Sequence, residues 1–421
     1  IFSHPYTKGV FLVTTGSLVG NISNYLFHVI GGRYLGPSRY GSLASLISLL
    51  YIVSVLASVF SMVALRELTK LWARREKSKF YFLFQSFFSF FSIWGTILFL
   101  IFFFGSSLIT NYLALETNYF ILLVAIIGFW ALVNSLFGAF QRATLRFKAF
   151  SFFNAIASIA KIIFVFLTWR FNLLIPGMLG AIILSLVLYL LLSGFDFYLF
   201  SRRRFEKIKK VQLIFSPRDF LKQSSFILMA TLGMTGFLTS DTILVKHFFP
   251  PLESGLYSGV AVMGRVILFV SGPLLLVMMP FIIKRKEKKE NFRKIFLLTL
   301  LLVFICSMGL LFLYTFFPKI IILLFYGTAY LKALPLLPLF SVYMLFYTLA
   351  NVFSTYYIAV EEKRILLLPL VGAGLQIVLI NLFHQTLYQV IKISTFCTVL
   401  LLLAFLIKFR LDEVKNEKIQ R

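Results

Sequence analysis

Leu35-Gly36-Pro37-Ser38-Arg39-Tyr40-Gly41 lies onto Phe249-Pro250-Pro251-Leu252-Glu253-Ser254-Gly255 at a shift of 214 positions, Pro37 on Pro251 and Gly41 on Gly255. The same shift carries the basic stretch 66–80 onto 280–294 and the apolar run 119–141 onto 333–355. A constant offset over so much chain marks an internal repeat. Around these signposts lie hydrophobic runs, twelve of them long enough for the ~20 apolar residues that a membrane-spanning helix needs. They cover about 9–31, 40–64, 82–105, 119–141, 149–170, 174–199, 222–247, 255–283, 294–317, 333–357, 365–383 and 388–408. No period-two alternation is present, which excludes a β-barrel. The expected fold is all-α, with twelve transmembrane helices in two six-helix lobes. Six spans is an even number, so the lobes share one orientation, related by a pseudo-twofold axis along the membrane normal. The expected division is 1–200 for the first lobe, 201–221 for a basic linker, 222–408 for the second lobe and 409–421 for a tail.

Charge gives the orientation. Thirty-two of the 41 Lys and Arg residues fall in every second gap between the runs, at 65–80, 142–148, 202–222, 284–294, 363–364 and the two ends. The alternate gaps near 33–39, 106–118, 170–173, 246–254, 318–332 and 384–387 are short and nearly uncharged. Basic loops stay on the cytoplasmic side during insertion. The expectation is therefore a multi-pass protein of a bacterial or archaeal cytoplasmic (inner) membrane, with both termini cytoplasmic. A hydrophobic content of 60% with only 13% charged residues lies far from a soluble domain. The net charge of +26 then reads as topology and attraction to anionic membrane lipids, and no nucleic-acid partner is expected. In the linker, Phe205, Ile208, Ile214 and Phe215 alternate with cations, which suits either a segment lying on headgroups or a solvated tether. Cys306 and Cys397 sit in apolar runs and are expected to be small buried packing residues. The numbering opens on Ile1 rather than Met, so the natural start is expected to lie upstream.

Polar side chains inside the spans carry the functional argument, because in hydrocarbon they are expensive and turn toward a bundle interior or a watered cavity. Thr14, Ser17, Asn21, Asn24 and His28 recur at steps of three and four, one face over four turns. Asn154, Ser158, Lys161 and Thr168 repeat the pattern in the fifth span, and Arg265 lies deep in the eighth. Interhelical hydrogen bonding explains an isolated Ser or Thr; two Asn, a His and two deep cations exceed it. Asp241 is the one carboxylate well inside a span. It is either a counter-ion to Arg265 or Lys246, or a proton or sodium coupling site. The interior is net cationic and suits an anion, phosphate above all. Arg33, Lys161 and Arg265, with Asn21, Asn24, His28, Asn154 and Ser158, are the candidate substrate-binding residues. Neither a Walker A pattern, nor a His–Glu metal motif, nor a nucleophile elbow occurs, so no cofactor, metal or catalytic centre is expected.

At these residues the chain resembles a family. Gly32-Arg33-Tyr34-Leu35-Gly36-Pro37-Ser38-Arg39-Tyr40-Gly41 is similar to the box after the first helix of polysaccharide-biosynthesis (O-antigen-type) flippases. These belong to the multidrug/oligosaccharidyl-lipid/polysaccharide exporter superfamily. Asp241-Thr242-Ile243-Leu244-Val245, followed by Glu253-Ser254-Gly255-Leu256-Tyr257-Ser258, resembles the second-half box. The resemblance implies a flippase that turns undecaprenyl-pyrophosphate-linked oligosaccharide units to the outer leaflet by alternating access around a cationic cavity. In the related flippase of the lipid-linked peptidoglycan precursor, the Arg equivalent to Arg33 lines the cavity. That relative has a second basic residue where Phe27 stands here, and two further C-terminal helices, so the peptidoglycan precursor is not the expected cargo. Multidrug antiporters of the superfamily often carry an acid in the first helix; this first span has none. The rival readings are such a cation antiporter or, from another class, a polytopic polysaccharide polymerase or ligase, which needs a sizeable outer loop that this chain lacks.

Overall fold

The computed structural model describes residues 5–204, 216–287, 290–360, 362 and 364–420. Among them the regular elements are all helical: α1 (Pro5–Ala73), α2 (Lys77–Phe104), α3 (Ser106–Tyr112), α4 (Tyr119–Ala143), α5 (Phe147–Arg170), α6 (Leu174–Arg204) and α7 (Pro217–Phe248). Then follow α8 (Pro251–Gly264), α9 (Val266–Glu287), α10 (Arg293–Phe316), α11 (Pro318–Phe325), α12 (Leu336–Val360), α13 (Leu368–Leu382) and α14 (Leu387–Gln420), with 3-10 turns before α12 and α13. The Phe205, Ile208, Ile214 and Phe215 pattern of the linker lies outside the described residues.

Eleven helical stretches among the described residues are long and apolar enough to cross a membrane, and the protein is a multi-pass membrane protein. The twelve sequence runs become eleven because the first two merge. The gap at 33–39, expected as a loop, stays helical except at Gly36, whose φ of 67° and ψ of 171° break α1. Glycine takes that left-handed φ without a Cβ clash, and Pro37 behind it supplies no amide to heal the helix. With 69 residues, α1 has a contour of about 100 Å at ~1.5 Å per residue, over three times a hydrocarbon core of ~30 Å. That length suffices for two passes on either side of the Gly36 break, and counting both brings the eleven stretches into line with the twelve sequence runs. Span eight is divided too, with Arg265 between α8 and α9.

The chain forms two compact units: Ile1–Leu35 with Leu49–Ser225, and Gly36–Ser48 with Phe226–Arg421. The sequence division at 200 kept the second span whole in the first lobe; by contacts, its leading residues belong to the second unit. The core of unit 1 is aromatic, with Phe60, Phe80, Phe87, Phe91 and Phe140 buried and Phe84 stacked on Phe197 at 4.2 Å. Its outside is apolar as well, as at Phe104, 78% exposed. Lipid supplies no hydrophobic drive between helices, so close packing and hydrogen bonds must hold them. At the edge of unit 1 the Arg146 guanidinium pairs with the Asp196 carboxylate.

Unit 2 is pinned by buried tyrosines whose hydroxyls donate to helix carbonyls: Tyr343 to Phe237 at 2.7 Å, Tyr347 to Met234 at 3.0 Å and Tyr314 to Met263 at 2.8 Å. Each gives a polar tip a partner within an apolar body. The repeat-related glycines Gly41 and Gly255 meet here: a Cβ on Gly41 would lie 2.9 Å from the Gly255 nitrogen, and one on Gly255 only 1.7 Å from the Pro37 carbonyl oxygen. Cys397 is buried as expected, but Cys306 is exposed, because it falls on the outer face of α10 beside exposed Ile305.

Candidate functional site

Four helices of unit 1 surround a cavity of about 660 Å³. Each contributes a stripe at helical spacing. On α5, Asn154, Ser158 and Lys161 face it; on α4, Asn134, Gly138 and Arg142; on α1, Asn24, Ser58 and Ser61; on α6, Ser185 and Tyr189. Steps of three and four keep the sets of α4, α5 and α6 and the pair Ser58–Ser61 each on one face, while Asn24 comes from the other side of the α1 break at Gly36. Lys161 and Arg142 are its cations, and among the described residues no carboxylate lines it.

Lys161 Nζ donates to Asn24 Oδ1 and stands 5.3 Å from the centre of the Phe27 ring. The amide oxygen and the ring face both favour a cation held away from bulk water. Arg142 donates from Nη2 to Ser61 Oγ at 2.9 Å and from Nε to the Gly138 carbonyl at 3.0 Å. Its guanidinium carbon lies 5.2 Å over the Phe150 ring. Hydroxyl protons go to backbone carbonyls: Ser58 donates to Val55 and Ser185 to Ile182 on their own helices, and Ser61 reaches across to Ser135 of α4. Oxygen lone pairs of Ser58 and Ser185 thus remain for hydroxyl donors in the cavity. Asn134 donates Nδ2 to the Leu186 carbonyl at 2.9 Å, while its Oδ1 is buried with no hydrogen-bond partner among the described residues. A buried acceptor left open is costly unless a ligand or water meets it.

Of the residues singled out from sequence, the cavity gathers Asn24, Asn154, Ser158 and Lys161. It leaves the others elsewhere. Asn21 is exposed; His28 is buried, edge-on to Phe27 at 5.7 Å; Arg33 is exposed, three residues before the α1 break. The side chains of Thr14 and Ser17 lie outside the described ones. Arg265, which the sequence placed in a shared cavity with Lys161, is 4% exposed inside unit 2. There it donates to the Leu238 carbonyl at 2.5 Å and to Thr242 Oγ1 at 3.1 Å. Asp241, fully buried, accepts from Tyr257 Oη at 2.7 Å, from the Thr242 amide at 2.6 Å and from Thr242 Oγ1 at 3.2 Å. Thr242 therefore bridges the two charges through one hydroxyl.

Arg142 and Asn134 escaped the sequence reading. Arg142 opens the basic gap 142–148 and passes there for a topological charge. The available signal was its step of eight residues from Asn134 through Gly138, two turns along one stripe of α4. Arg142→Gln should weaken binding of inorganic pyrophosphate, used as a probe of the cavity's charge, by about 10-fold, since a charged hydrogen bond contributes ~1.5–3 kcal/mol. Titration of the purified protein checks this.

The family model for polysaccharide biosynthesis proteins matches residues 6–286. Among curated proteins none matches the chain in sequence at a significant level. In fold, the chain is similar to an inward-facing multidrug resistance MATE family transporter of the MOP superfamily, with a TM-score of 0.71 at 12% identity, over 93% of this chain and 95% of that one. It is equally similar to the lipid II flippase MurJ in an inward closed conformation, with a TM-score of 0.71 at 16% identity, over 95% of this chain and 87% of that one. A third likeness is to a MOP superfamily transporter from Pyrococcus furiosus described as having a binding pocket of reversed polarity, with a TM-score of 0.62 at 14% identity, over 97% and 96% of the two chains.

Proposed function

Because the chain belongs to the polysaccharide biosynthesis protein family, we propose that it is a flippase for undecaprenyl-pyrophosphate-linked oligosaccharides, moving them from the cytoplasmic to the outer leaflet by alternating access. The observation that carries this reading is the cavity of unit 1, which among the described residues has two cations, no lining acid, and amides and hydroxyls set among Met62, Leu65, Phe150, Ile182 and Leu186. Lys161 and Arg142 answer a diphosphate; Asn134, Asn154, Ser158 and Ser185 answer sugar hydroxyls. A cationic drug would meet only like charge there, which disfavours the antiporter reading. The isoprenoid tail can remain in lipid while fixed cations lower the barrier for the headgroup. Nothing in this step makes or breaks a covalent bond, so no enzymatic role is proposed. The test is reconstitution in liposomes with a lipid-linked oligosaccharide carrying a fluorophore on the sugar, read by an external quencher. Transport of a cationic dye without movement of the oligosaccharide lipid would reverse the assignment.

Asp241 is read as the counter-ion of Arg265 rather than as a proton or sodium site, a choice supported by the Thr242 hydroxyl that joins them. Removing one member of a buried charge pair leaves the other uncompensated, whereas removing both restores balance. Asp241→Asn should therefore lower the yield of folded protein, and Asp241→Asn combined with Arg265→Met should recover it. A well-folded Asp241→Asn protein that has lost proton or sodium dependence of transport would instead assign it to coupling.

We place the protein in the cytoplasmic membrane with both termini inside, on the strength of its charge asymmetry. In a Cys306→Ser/Cys397→Ser background, a thiol label applied from outside should modify Tyr112→Cys and leave Lys209→Cys untouched. The reverse pattern would invert the topology.

A further inference from the structure

A second cavity lies in unit 2, about 280 Å³ and lined only by Leu and Phe. Its walls are Leu297, Leu301 and Phe304 of α10 and Leu402 and Leu406 of α14, over Phe353 of α12. Leu297 and Leu301 are 41% and 53% exposed, so the groove opens outward to the bilayer. None of its lining residues lines the cavity of unit 1.

One end of this groove is basic. On α10, Arg293 lies one turn before Leu297, and Lys294 two turns before Leu301. On α14, Arg410 lies one turn beyond Leu406. Helical spacing puts each cation on the stripe that forms the groove wall. The two walls meet at this end, where the Arg293 guanidinium carbon lies 5.4 Å over the Phe409 ring and Phe296 packs on both Phe353 and Phe409 at 5.0 Å. Asp412, the neighbouring acid on α14, is engaged by Lys408 at 2.5 Å. The feature is thus an apolar slot that faces lipid, closed by aromatic rings and crowned by Arg293, Lys294 and Arg410.

We propose that this slot is a binding site for one anionic phospholipid of the surrounding bilayer, an acyl chain lying between α10 and α14 and its phosphate at Arg293, Lys294 and Arg410. A chain there covers Leu and Phe surface against a fixed wall, and the cations sit where apolar helix gives way to charge, at the depth of a headgroup. Basic clusters at helix ends recognise anionic headgroups in this way, by charge and depth rather than by sequence.

The test is native mass spectrometry of the full-length protein exchanged into micelles of phosphatidylglycerol and phosphatidylcholine at equal mole fraction. The wild type should retain one phosphatidylglycerol in preference to phosphatidylcholine. Lys294→Gln/Arg410→Gln should weaken that retention by about 30-fold, each cation contributing roughly a factor of five near the surface. Leu301→Trp, which fills the slot and keeps every charge, should lower occupancy without creating a preference for phosphatidylcholine. Equal retention of the two lipids by the wild type, or undiminished phosphatidylglycerol in both variants, overturns the proposal. So does displacement of the bound lipid by an added prenyl pyrophosphate at lower concentration than phosphatidylglycerol, which would make the slot a cargo site.

Discussion

Lys161→Met should reduce translocation of a lipid-linked oligosaccharide by roughly 30- to 150-fold, the equivalent of ~2–3 kcal/mol for a hydrogen bond between a charged group and its ligand. The methionine keeps much of the volume against Phe27 and loses only the ammonium, so the change isolates charge from packing. Stability has opposing contributions. Asn24 Oδ1 loses its donor, which costs about 1–3 kcal/mol if water does not replace it. Against that, a cation deep in a span carries an insertion cost of ~2.5–3.5 kcal/mol that the variant no longer bears. The protein should therefore remain folded, with thermal stability in detergent level or higher. Lys161→Arg should keep part of the activity, because the charge stays while the geometry at Asn24 changes. Undiminished transport by a monodisperse Lys161→Met protein would remove the cationic cavity from the mechanism.

Gly255→Ala should be among the most damaging single methyl additions available to this chain. The new Cβ would stand 1.7 Å from the Pro37 carbonyl oxygen and 2.3 Å from its carbonyl carbon. Both are backbone atoms, so no side chain can rotate away, and the helix that begins at Pro251 must withdraw from the segment after Gly36. Overpacking ordinarily costs about 1–3 kcal/mol; with backbone on both sides we expect about 3 kcal/mol or more. Gly374→Ala is the control, since a Cβ there meets nothing within 4 Å. It should be neutral or gain up to ~1 kcal/mol of helix propensity. Thermal denaturation of the three proteins in one detergent measures the difference, and equal midpoints for Gly255→Ala and wild type would show that the two backbones do not touch as described.

Much of this was legible from residues alone, and particular residues show why. The pairing of Gly41 with Gly255 was visible as an offset, because a repeat writes itself into both halves of a chain. Its contact was not, since an offset carries no distance. Lys161 could be chosen from sequence because a cation in mid-span has few bland explanations. Arg142 could not, because at a span's end an arginine is the commonest of topological charges. Arg265 looked like Lys161 by the same rule of depth, yet it bonds to Thr242 and the Leu238 carbonyl within unit 2. Depth reports the cost of a charge, not which neighbour offsets it.

By itself, then, the sequence determined whatever is periodic or costly in hydrocarbon: an all-helical membrane protein, an internal repeat, and the polar stripe of α5 that carries Lys161. Hydropathy, helical spacing and charge act locally along the chain, so they can be read without coordinates. The tertiary structure alone decided that α1 runs through its expected loop and breaks at Gly36, that Arg142 and Asn134 join the stripe of Lys161 around one cavity, and that within unit 2 Arg265 and Asp241 are joined through Thr242. Those outcomes depend on which helix faces meet, and packing between faces distant in sequence is information that no single stretch of chain contains.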